Sequence, residues 1–506
     1  MKAKILRTDA ELFIIEQYLD ELAAVADVVT TQSTDEDALA LEATDAEIIL
    51  TCYTAITEKV IEAAKNLKGI VKYGVGTDAI DIEAATQRGV MVINCPDYGS
   101  DTVADHAFAL LIALARRIPV LDRVMQENAW AWPAAEYLGV GLSGKTIGLV
   151  GFGRIGRCMA RRAEGFSITR LATDPYVDFA IFDEYGVQSA GLDEMLERSD
   201  FVSIHCVLTP ETTGLIGEAE LKRMKDTAFL IDVSRGAIID EGALIRALDE
   251  NAIAGAALDV FATEPPDDRE LLELPNVIVT PHLGAATTEA QEKVAEQVAE
   301  QMADFLNTGA VANALNMASV SAEEAPRLKP YMTLAQQLGS FAGQATNSAI
   351  REVTIAFEGL CGQLNCRPLT AVVLQGLLSP LMEGVNMVNA PTIAKDRDIH
   401  IREIRSDDAG NFQTLITLTV TTETQTRTIA GTLFNEEPRV VQIKGIPIDA
   451  KLGPNMIYIT NGDEPGIIGG VGTILGDAGL NIATFHLGRS DLGGDAIALI
   501  EVDGDP

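Results

Sequence analysis

Hydrophobic positions in the first half of the chain form short runs that alternate with helical patterns. Apolar runs at 48–50, 69–71 and 90–94 are separated by stretches with helical spacing, and the alternation resumes at 146–150. Buried strands alternating with helices are typical of parallel sheets that are covered by helices on both faces. The pattern therefore predicts an α/β fold with two Rossmann-like, doubly wound parallel-sheet domains.

The pattern changes beyond residue 281. A long helical stretch at 288–306 precedes a polar segment at 323–329, which we interpret as a linker. Strands are expected at 415–421 and 440–446. The last stretch has the order strand, helix, strand, strand, at 456–460, 466–478, 481–487 and 496–502. These patterns predict two C-terminal α+β domains.

A glycine-rich turn follows the predicted strand at 146–150 and opens a helix. Gly151, Gly153 and Gly156 form a GxGxxG pattern, and Asp174 follows the next strand. The glycines permit a tight turn, close approach of a pyrophosphate and packing of the helix on the strand. Asp174 is placed to accept hydrogen bonds from ribose hydroxyls and to repel a 2′-phosphate, which favours NAD over NADP.

Three residues with complementary chemistry come after later strands. Arg235, Glu264 and His282 each lie in or near a loop that follows a predicted strand. An imidazole can take a hydroxyl proton near neutral pH, a carboxylate can orient that imidazole, and a guanidinium can hold a substrate carboxylate. Strand-end salt bridges and a structural histidine account for the same residues equally well, so spacing alone leaves both interpretations open.

The segments GFGRIG, RGAIIDE, LDVFATEPP and TPHLG resemble the signatures of the D-isomer-specific 2-hydroxyacid dehydrogenases. This resemblance covers about 45–315 and implies that Arg235, Glu264 and His282 are catalytic. It departs at Asp232, where asparagine is usual, and at Val207, where proline is usual. It implies NAD binding by Gly151, Gly153, Arg154, Ile155, Gly156, Asp174, Val233, Ser234, Arg235, Asp259, His282, Gly284 and Ala285.

The C-terminal segments resemble those of the long D-3-phosphoglycerate dehydrogenases. VNMVNAP and TRTIAGT are similar to the intervening domain of that family, and DEPG with NIA is similar to an ACT regulatory domain. An ACT domain continues with a second helix and a fourth strand, so this one is expected to be incomplete, either truncated or completed by a partner. The resemblance implies binding of an amino-acid effector such as serine at Asn461, Asp463, Gly466 and Asn481. Helix capping and turn formation explain these residues equally well.

The substrate half of the chain disagrees with this tail. Phosphoglycerate dehydrogenases usually carry arginine at the positions of Thr51 and Lys72 and asparagine at that of Ala79. Segment 95–106 instead resembles bacterial relatives of the C-terminal-binding-protein corepressors. Lys72 can meet a phosphate as a point charge or be solvated. The expected substrate contacts are Thr51, Cys52, Lys72, Gly74, Val75, Gly76, Arg235 and His282.

These observations predict four domains and three ranked functions. The domains are a discontinuous substrate-binding domain at 1–100 and 288–316, an NAD-binding domain at 101–287, an intervening, allosteric substrate-binding-like domain at 317–452, and an incomplete ACT-like domain at 453–506. The first hypothesis is NAD-dependent oxidation of D-3-phosphoglycerate to 3-phosphohydroxypyruvate, the first step of serine biosynthesis. The alternatives are a dehydrogenase of an unphosphorylated D-2-hydroxy acid and an NAD-sensing, corepressor-like binding protein.

The amino-acid composition limits the classes of partner and the cellular location that we expect for this protein. The 38 Lys and Arg residues against 74 Asp and Glu residues give a net charge of −36, which disfavours nucleic acid and anionic membranes. Six cysteines without a CxxC pair predict a reducing, cytoplasmic location and no metal site, and no apolar run predicts a membrane span. The resemblance implies a homodimer or homotetramer, with helix 104–117 at the dimer surface; a core helix is the alternative.

Overall fold

The computed structural model describes residues 2–9, 13–130, 132, 134–267 and 269–504. The chain divides into two compact units, one formed by 1–95 with 295–506 and the other by 96–294. The N-terminal sheet therefore shares a unit with both C-terminal sheets. The finer division into four domains stays a prediction.

The first sheet is parallel and five-stranded. Its strands are β1 (Ala3–Arg7), β2 (Ala26–Thr30), β3 (Ile48–Thr51), β4 (Gly69–Lys72) and β5 (Met91–Ile93). Its helices are α1 (Glu16–Leu19), α2 (Glu36–Glu42), α3 (Glu58–Ala63) and α4 (Ile82–Gln87). The order β2-β1-β3-β4-β5 reverses direction between β1 and β3, and ligands of such sheets bind where the order reverses.

The second unit contains a parallel sheet of seven strands. They are β6 (Thr146–Val150), β7 (Thr169–Thr173), β8 (Gln188–Ser189), β9 (Phe201–Ile204), β10 (Phe229–Asp232), β11 (Gly255–Leu258) and β12 (Val277–Val279). The helices are α5 (Ser100–Ala115), α6 (Ile118–Asn128), α7 (Arg154–Glu164), α8 (Phe179–Glu184), α9 (Leu192–Arg198), α10 (Glu218–Arg223) and α11 (Glu241–Asp249). The order β12-β11-β10-β9-β6-β7-β8 reverses between β6 and β9, so the glycine turn after β6 opens at the reversal. The prediction of two doubly wound parallel sheets is confirmed.

Helix α5 is a core helix of the second unit. Its residues Ala107, Phe108, Leu111 and Leu114 are buried in the core that covers one face of the seven-stranded sheet. The sequence placed this helix at 104–117, and the structure begins it four residues earlier, at Ser100. Its role at a dimer surface stays a prediction.

Helix α12 (Thr288–Thr308) returns the chain to the first unit, which also contains the two C-terminal sheets. One has strands β13 (Ile350–Gly359), β14 (His400–Ser406), β15 (Thr414–Thr422), β16 (Thr426–Phe434), β17 (Glu437–Ile443) and β18 (Ile446–Ala450), and helices α13 (Ala325–Gln344), α14 (Cys366–Leu378) and α15 (Ala390–Asp396). The other has β19 (Met456–Gly462), α16 (Ile467–Asp477), β20 (Ile482–Arg489) and β21 (Asp495–Val502). The orders are β14-β13-β15-β16-β17-β18 and β19-β21-β20, and both α+β predictions are confirmed.

Two local predictions are wrong. The segment 323–329 is not a linker, because α13 begins at Ala325 and Leu328 is buried. Pro326 lies in the first helical turn, where backbone N–H groups have no partner within the helix, so the N–H group that proline lacks is not needed. The expected strand at 440–446 is two strands, since Lys444 and Gly445 take φ values of +51° and +78° and form a tight hairpin turn.

Candidate active site

All predicted cofactor contacts and catalytic residues of the second unit lie along one edge of its sheet. They occupy the loops after β6, β7, β10, β11 and β12, or the first turn of α7, because the carboxyl ends of parallel strands share an edge. These residues are Gly151, Gly153, Arg154, Ile155, Gly156, Asp174, Val233, Ser234, Arg235, Asp259, Glu264, His282, Gly284 and Ala285.

Two of the three glycines in the turn after β6, Gly151 and Gly156, leave no room for a side chain. Gly151 has a φ of +95°, and a Cβ atom there would lie 2.6 Å from the amide nitrogen of Cys206. A Cβ atom on Gly156 would collide with the carbonyl oxygen of Gly151, whereas one on Gly153 would meet no atom within 4 Å. The turn is therefore open at Gly153, beside the N-terminus of α7, whose N–H groups attract an anion.

Asp174 lies beside this turn, directly after β7. Its Oδ2 accepts a hydrogen bond from the Phe152 amide at 2.8 Å, and its Oδ1 accepts one from the Tyr176 amide at 3.0 Å. Each carboxylate oxygen carries two lone pairs, so both retain capacity for a ribose hydroxyl. The arrangement fits the adenosine half of a dinucleotide.

Asp232 ends β10 and is completely buried. Its Oδ1 accepts hydrogen bonds from the amide and hydroxyl of Ser234 at 2.8 and 2.6 Å, while Oδ2 has no hydrogen-bond partner among the described residues. Burial raises the pKa of Asp232 to about 7, although Ser234 and Arg235 act in the opposite direction. When protonated, the Asp232 side chain is neutral and has the shape of an asparagine side chain. Asparagine is the usual residue at this position in the family that the sequence resembles.

Arg235 follows Ser234, and its Nη1 donates to the Ser234 carbonyl oxygen at 2.7 Å. A Cβ atom on the next residue, Gly236, would collide with the backbone of Phe261, so only glycine lets the turn after β10 approach the loop after β11. That loop carries Glu264, and the positive charge of Arg235 helps to lower the pKa of Glu264. The close packing of these loops thus brings together a guanidinium and a carboxylate.

Glu264 and His282 form a direct pair. The Nδ1 atom of His282 lies 2.6 Å from Oε2 of Glu264, and the other carboxylate oxygen accepts a hydrogen bond from the Phe261 amide at 3.0 Å. Burial raises the pKa of Glu264, but hydrogen bonds from His282 and Phe261 outweigh it, so the net pKa is lowered. Both side chains are 35% exposed, which leaves the imidazole accessible.

Asp259 holds the loop that presents His282. It is completely buried, and its carboxylate accepts hydrogen bonds from the Leu283 amide at 2.8 Å, the Gly284 amide at 2.7 Å and the Thr280 hydroxyl at 2.5 Å. Its backbone carbonyl accepts from the His282 amide at 2.8 Å, and His282 takes a φ of +54°. Such a backbone persists only where its surroundings enforce it.

His106 on α5 supports the same loop, and the sequence patterns did not predict this role. Its Nε2 lies 3.0 Å from Oγ1 of Thr280 and 3.3 Å from Oδ1 of Asp259. No local signal indicates this role, because 150 or more residues separate His106 from both partners.

The corresponding edge of the first sheet contains a further buried aspartate, Asp9, which the sequence patterns did not predict. Asp9 follows β1, and its carboxylate accepts hydrogen bonds from the amides of Cys52, Tyr53 and Thr54 at 2.6, 3.0 and 3.2 Å. The Thr54 hydroxyl adds a bond at 3.2 Å. Asp9 therefore holds the loop after β3, at the point where the strand order reverses.

The predicted substrate contacts surround this loop. Thr51 is buried and its hydroxyl donates to the Thr54 carbonyl oxygen at 2.8 Å. Lys72, the last residue of β4, is 8% exposed, and its Nζ donates to the carbonyl oxygen of Cys52. The turn after β4 contains Gly74, Val75 and Gly76, of which Gly74 has a φ of +141° and Val75 is exposed.

The predicted effector residues are divided between the two ends of the last sheet. Asn461 pairs with Ala496 of β21, whereas Asn481 precedes β20, whose first residue pairs with Val502. Six residue steps along β21, from Ala496 to Val502, separate these positions, about 20 Å at roughly 3.3 Å per step. Asp463 Oδ2 accepts hydrogen bonds from Arg489 at 2.9 Å and from the Gly493 amide, and Gly466 caps α16. One chain therefore does not bring Asn481 to the others.

Comparisons with known proteins assign the family. Residues 108–284 match the NAD-binding domain of the D-isomer specific 2-hydroxyacid dehydrogenases, and residues 327–444 match the D-3-phosphoglycerate dehydrogenase intervening domain. The D-3-phosphoglycerate dehydrogenase of Methanocaldococcus jannaschii is 36% identical over 99% of this chain and 95% of its own length. This chain belongs to the D-3-phosphoglycerate dehydrogenases. The Bacillus subtilis member is 39% identical over 89% of this chain and 86% of its own length.

Solved structures of related dehydrogenases match about 60% of the chain. D-lactate dehydrogenase from Aquifex aeolicus, complexed with NAD and lactic acid, is 29% identical over 60% of this chain and 95% of its own, with a TM-score of 0.54. The NADPH-dependent glyoxylate/hydroxypyruvate reductase of Sinorhizobium meliloti is 28% identical over 62% and 97%, with a TM-score of 0.57. The resemblance to dehydrogenases stated from the sequence is thus confirmed, and this member of the D-3-phosphoglycerate dehydrogenases is an NAD-dependent enzyme.

Proposed function

We propose that this protein oxidises D-3-phosphoglycerate to 3-phosphohydroxypyruvate, with NAD as the hydride acceptor. The observation that carries the proposal is the 2.6 Å pair of His282 and Glu264, presented at the edge of a dinucleotide-binding sheet. Relatives that match nearly the whole chain, from Methanocaldococcus jannaschii and Synechocystis, are named D-3-phosphoglycerate dehydrogenases.

The glycine turn and its surroundings fit a dinucleotide. Gly153 leaves space for a pyrophosphate beside the N-terminus of α7, and the Asp174 carboxylate favours free ribose hydroxyls over a 2′-phosphate. NAD, when bound, supplies the acceptor for the hydride that leaves C2 of the substrate. The chain itself must orient the substrate and remove its hydroxyl proton.

His282 is the proposed proton acceptor. Because its Nδ1 faces Glu264, its Nε2 is the proposed acceptor of the proton of the substrate hydroxyl. Glu264 fixes the ring and stabilises the imidazolium that forms, in the way that a carboxylate supports a catalytic histidine. Arg235, part-exposed on the neighbouring turn, is the proposed partner of the substrate carboxylate, because guanidinium binds carboxylate through two parallel bonds.

The first sheet supplies the proposed contacts to the rest of the substrate. The turn at 74–76 offers backbone N–H groups that can receive a carboxylate, and Lys72 is the proposed cation for the phosphate. Thr51 and Cys52 are the remaining proposed substrate contacts of the first sheet.

A second candidate function has one specific observation in its favour. Thr51 and Lys72 both form hydrogen bonds to the backbone of their own loop, at Thr54 and Cys52. A phosphate gains less from a lysine that is already engaged, so an unphosphorylated D-2-hydroxy acid is the alternative substrate class. The corepressor-like alternative has no comparable observation in its favour.

The test compares oxidised substrates in the reverse direction. NADH oxidation by the purified protein is measured with 3-phosphohydroxypyruvate, hydroxypyruvate, pyruvate and 2-oxoglutarate. We expect kcat/KM to be highest for 3-phosphohydroxypyruvate; a higher value for hydroxypyruvate would establish the second candidate. An H282N variant without turnover assigns the activity to this site.

Regulation and assembly are further proposals. Because Asn461 and Asn481 lie at opposite ends of the last sheet, a serine site that uses both needs two copies of the chain. This supports a homodimer or homotetramer, which sedimentation with and without serine would test. No helix among the described residues is long and apolar enough to span a membrane, and the cytoplasmic location stays a prediction.

A further inference from the structure

A buried carboxyl group that the proposed chemistry does not use lies at the carboxyl edge of the seven-stranded sheet. Asp232 is the last residue of β10, between β9 and β11, and its side chain is completely buried. Its Oδ1 accepts two hydrogen bonds from Ser234, whereas Oδ2 has no hydrogen-bond partner among the described residues. A buried oxygen without a partner costs free energy, so a functional reason is expected for it.

The strand order indicates which half of the cofactor lies over Asp232. The glycine turn follows β6, and Asp174, the proposed partner of the ribose, follows β7. With the adenosine half on the β7 side of the reversal, the nicotinamide half of NAD is expected on the other side, over β9, β10 and β11. His282 and Glu264 form their pair on that same side. This position of the cofactor rests on the proposed function.

The groups around Asp232 have a fixed charge near neutral pH. After β9, His205 and Cys206 are neutral, because burial lowers the pKa of His205 to about 3 and raises that of Cys206 to about 11. After β11, burial raises the pKa of Asp259, but the hydrogen bonds that its carboxylate accepts outweigh burial, so Asp259 stays ionised. Arg235, on the turn that follows Asp232, is a guanidinium and stays positive.

Asp232 differs from these neighbours because its charge changes near neutral pH. Burial raises its pKa to about 7; the negative charge of Asp259 acts in the same direction, and Ser234 and Arg235 act in the opposite one. Asparagine, the usual residue at this position in the family that the sequence resembles, is neutral at every pH. This chain therefore has a titratable group where a neutral one is usual.

We propose that Asp232 selects between the two oxidation states of the cofactor: its ionised carboxylate favours NAD⁺, and its protonated carboxyl favours NADH. The nicotinamide ring of NAD⁺ carries a positive charge that the ring of NADH lacks, so a buried negative charge below it stabilises only the oxidised form. By linkage, Asp232 releases a proton to solvent when NAD⁺ binds and takes one up from solvent when NADH binds. Asp232 acts through its charge, and His282 remains the proposed proton acceptor of the reaction.

The test measures the affinity of the full-length protein for both forms of the cofactor. Fluorescence titration with NADH, followed by displacement of NADH with NAD⁺, gives the two dissociation constants from about pH 5.5 to about pH 8.5. In the wild type, the dissociation constant of NAD⁺ divided by that of NADH should fall about tenfold as pH rises, because Asp232 becomes ionised. A tenfold change corresponds to a difference of about one unit between the pKa of Asp232 in the two complexes.

D232N is the matched variant, because asparagine has the shape of the protonated carboxyl and does not titrate. Other titratable groups such as His282 are present in both proteins, so the difference between wild type and D232N isolates Asp232. D249N, which removes an exposed carboxylate at the end of α11, should follow the wild type. S234A removes a hydroxyl that donates to Asp232, so it should move the midpoint of the pH dependence to higher pH even if D232N fails to fold.

A second readout counts protons directly. Calorimetry of NADH binding near pH 7, in two buffers that differ in ionisation enthalpy, should show more proton uptake by the wild type than by D232N. The same ratio of dissociation constants in wild type and D232N at every pH, or equal proton uptake by the two, would overturn the proposal. A protein that binds neither NAD⁺ nor NADH would instead contradict the proposed function, so the two failures are distinguishable. Neither readout depends on turnover.

Discussion

At the edge of each parallel sheet a buried aspartate orders a neighbouring loop, but the two loops differ in the side chains that they expose. Asp9 follows β1 and binds the loop after β3, and Asp259 follows β11 and binds the loop after β12. Both aspartates are buried, and both accept successive backbone N–H groups, the arrangement that otherwise binds anions. Each sheet thus supplies its own internal anion to order a loop.

The loops differ in what they present. The loop held by Asp259 exposes His282 with Glu264 as its partner, so its titratable chemistry faces outward. The loop held by Asp9 directs Thr51 and Lys72 onto its own backbone. The comparison teaches that a buried carboxylate orders a loop without determining its chemistry; the side chains around it decide whether it presents a reactive group.

The largest expected effect is at His282. H282N should lower kcat by about 10²–10⁴-fold, because it removes the proton acceptor, while the NADH dissociation constant should change much less, because the other cofactor contacts remain. Steady-state kinetics and NADH fluorescence titration measure the two quantities. H400N, which changes an exposed histidine of β14, is the matched control and should keep full activity. A loss of less than tenfold in H282N would contradict the proposed role.

Asp9 should give the next largest effect, on stability rather than on kcat. In D9N an NH₂ group replaces one carboxylate oxygen and faces N–H donors that bind the carboxylate in the wild type. We therefore expect the free energy of unfolding to fall by about 3 kcal/mol. KM should rise more than kcat falls. Urea denaturation gives the stability change, with D27N at an exposed position of β2 as control. Equal stability of the two variants would show that Asp9 does not hold the loop.

Lys72 decides between the two substrate classes. If it holds a phosphate, K72Q should raise KM for 3-phosphohydroxypyruvate about 10- to 100-fold, which is the contribution of a hydrogen bond to a charged group. KM for hydroxypyruvate should change much less. K68Q is the control, because Lys68 is an exposed lysine that directly precedes β4, at the end of the strand opposite to Lys72. Equal changes for both substrates would instead mean that Lys72 only supports its loop.

The last effect is spread over several pH units and concerns Asp232. Its pKa in the folded protein is raised to about 7 from an ordinary 3.8, so its stabilising contribution is fully present below about pH 4 and is lost as pH rises through about 7. Between these limits the wild type should lose up to about 1.4 kcal/mol per pH unit relative to D232N. Thermal denaturation of both proteins from pH 5 to 8 measures the difference. D249N, at an exposed position, should follow the wild type.

Cofactor-edge residues could be found from sequence because their constraints are local. Gly151, Gly153 and Gly156 lie within one turn, and the other residues of this edge are recognised because each lies in a loop that directly follows a predicted strand. Asp9 and His106 could not be found in this way. Their partners are separated from them by more than 40 and more than 150 residues. The strand order brings Asp9 to its partners, and the packing of α5 brings His106 to its own.

The alternation of apolar runs determined the four sheets, because a strand or a helix needs a repeating pattern to bury one face. The glycine turn and the strand-end residues likewise determined the dinucleotide-binding edge. Only tertiary structure decided that Lys72 bonds to Cys52 and that Asn461 and Asn481 stand at opposite ends of a sheet. These facts depend on contacts between distant segments, whose geometry follows from packing rather than from any local pattern.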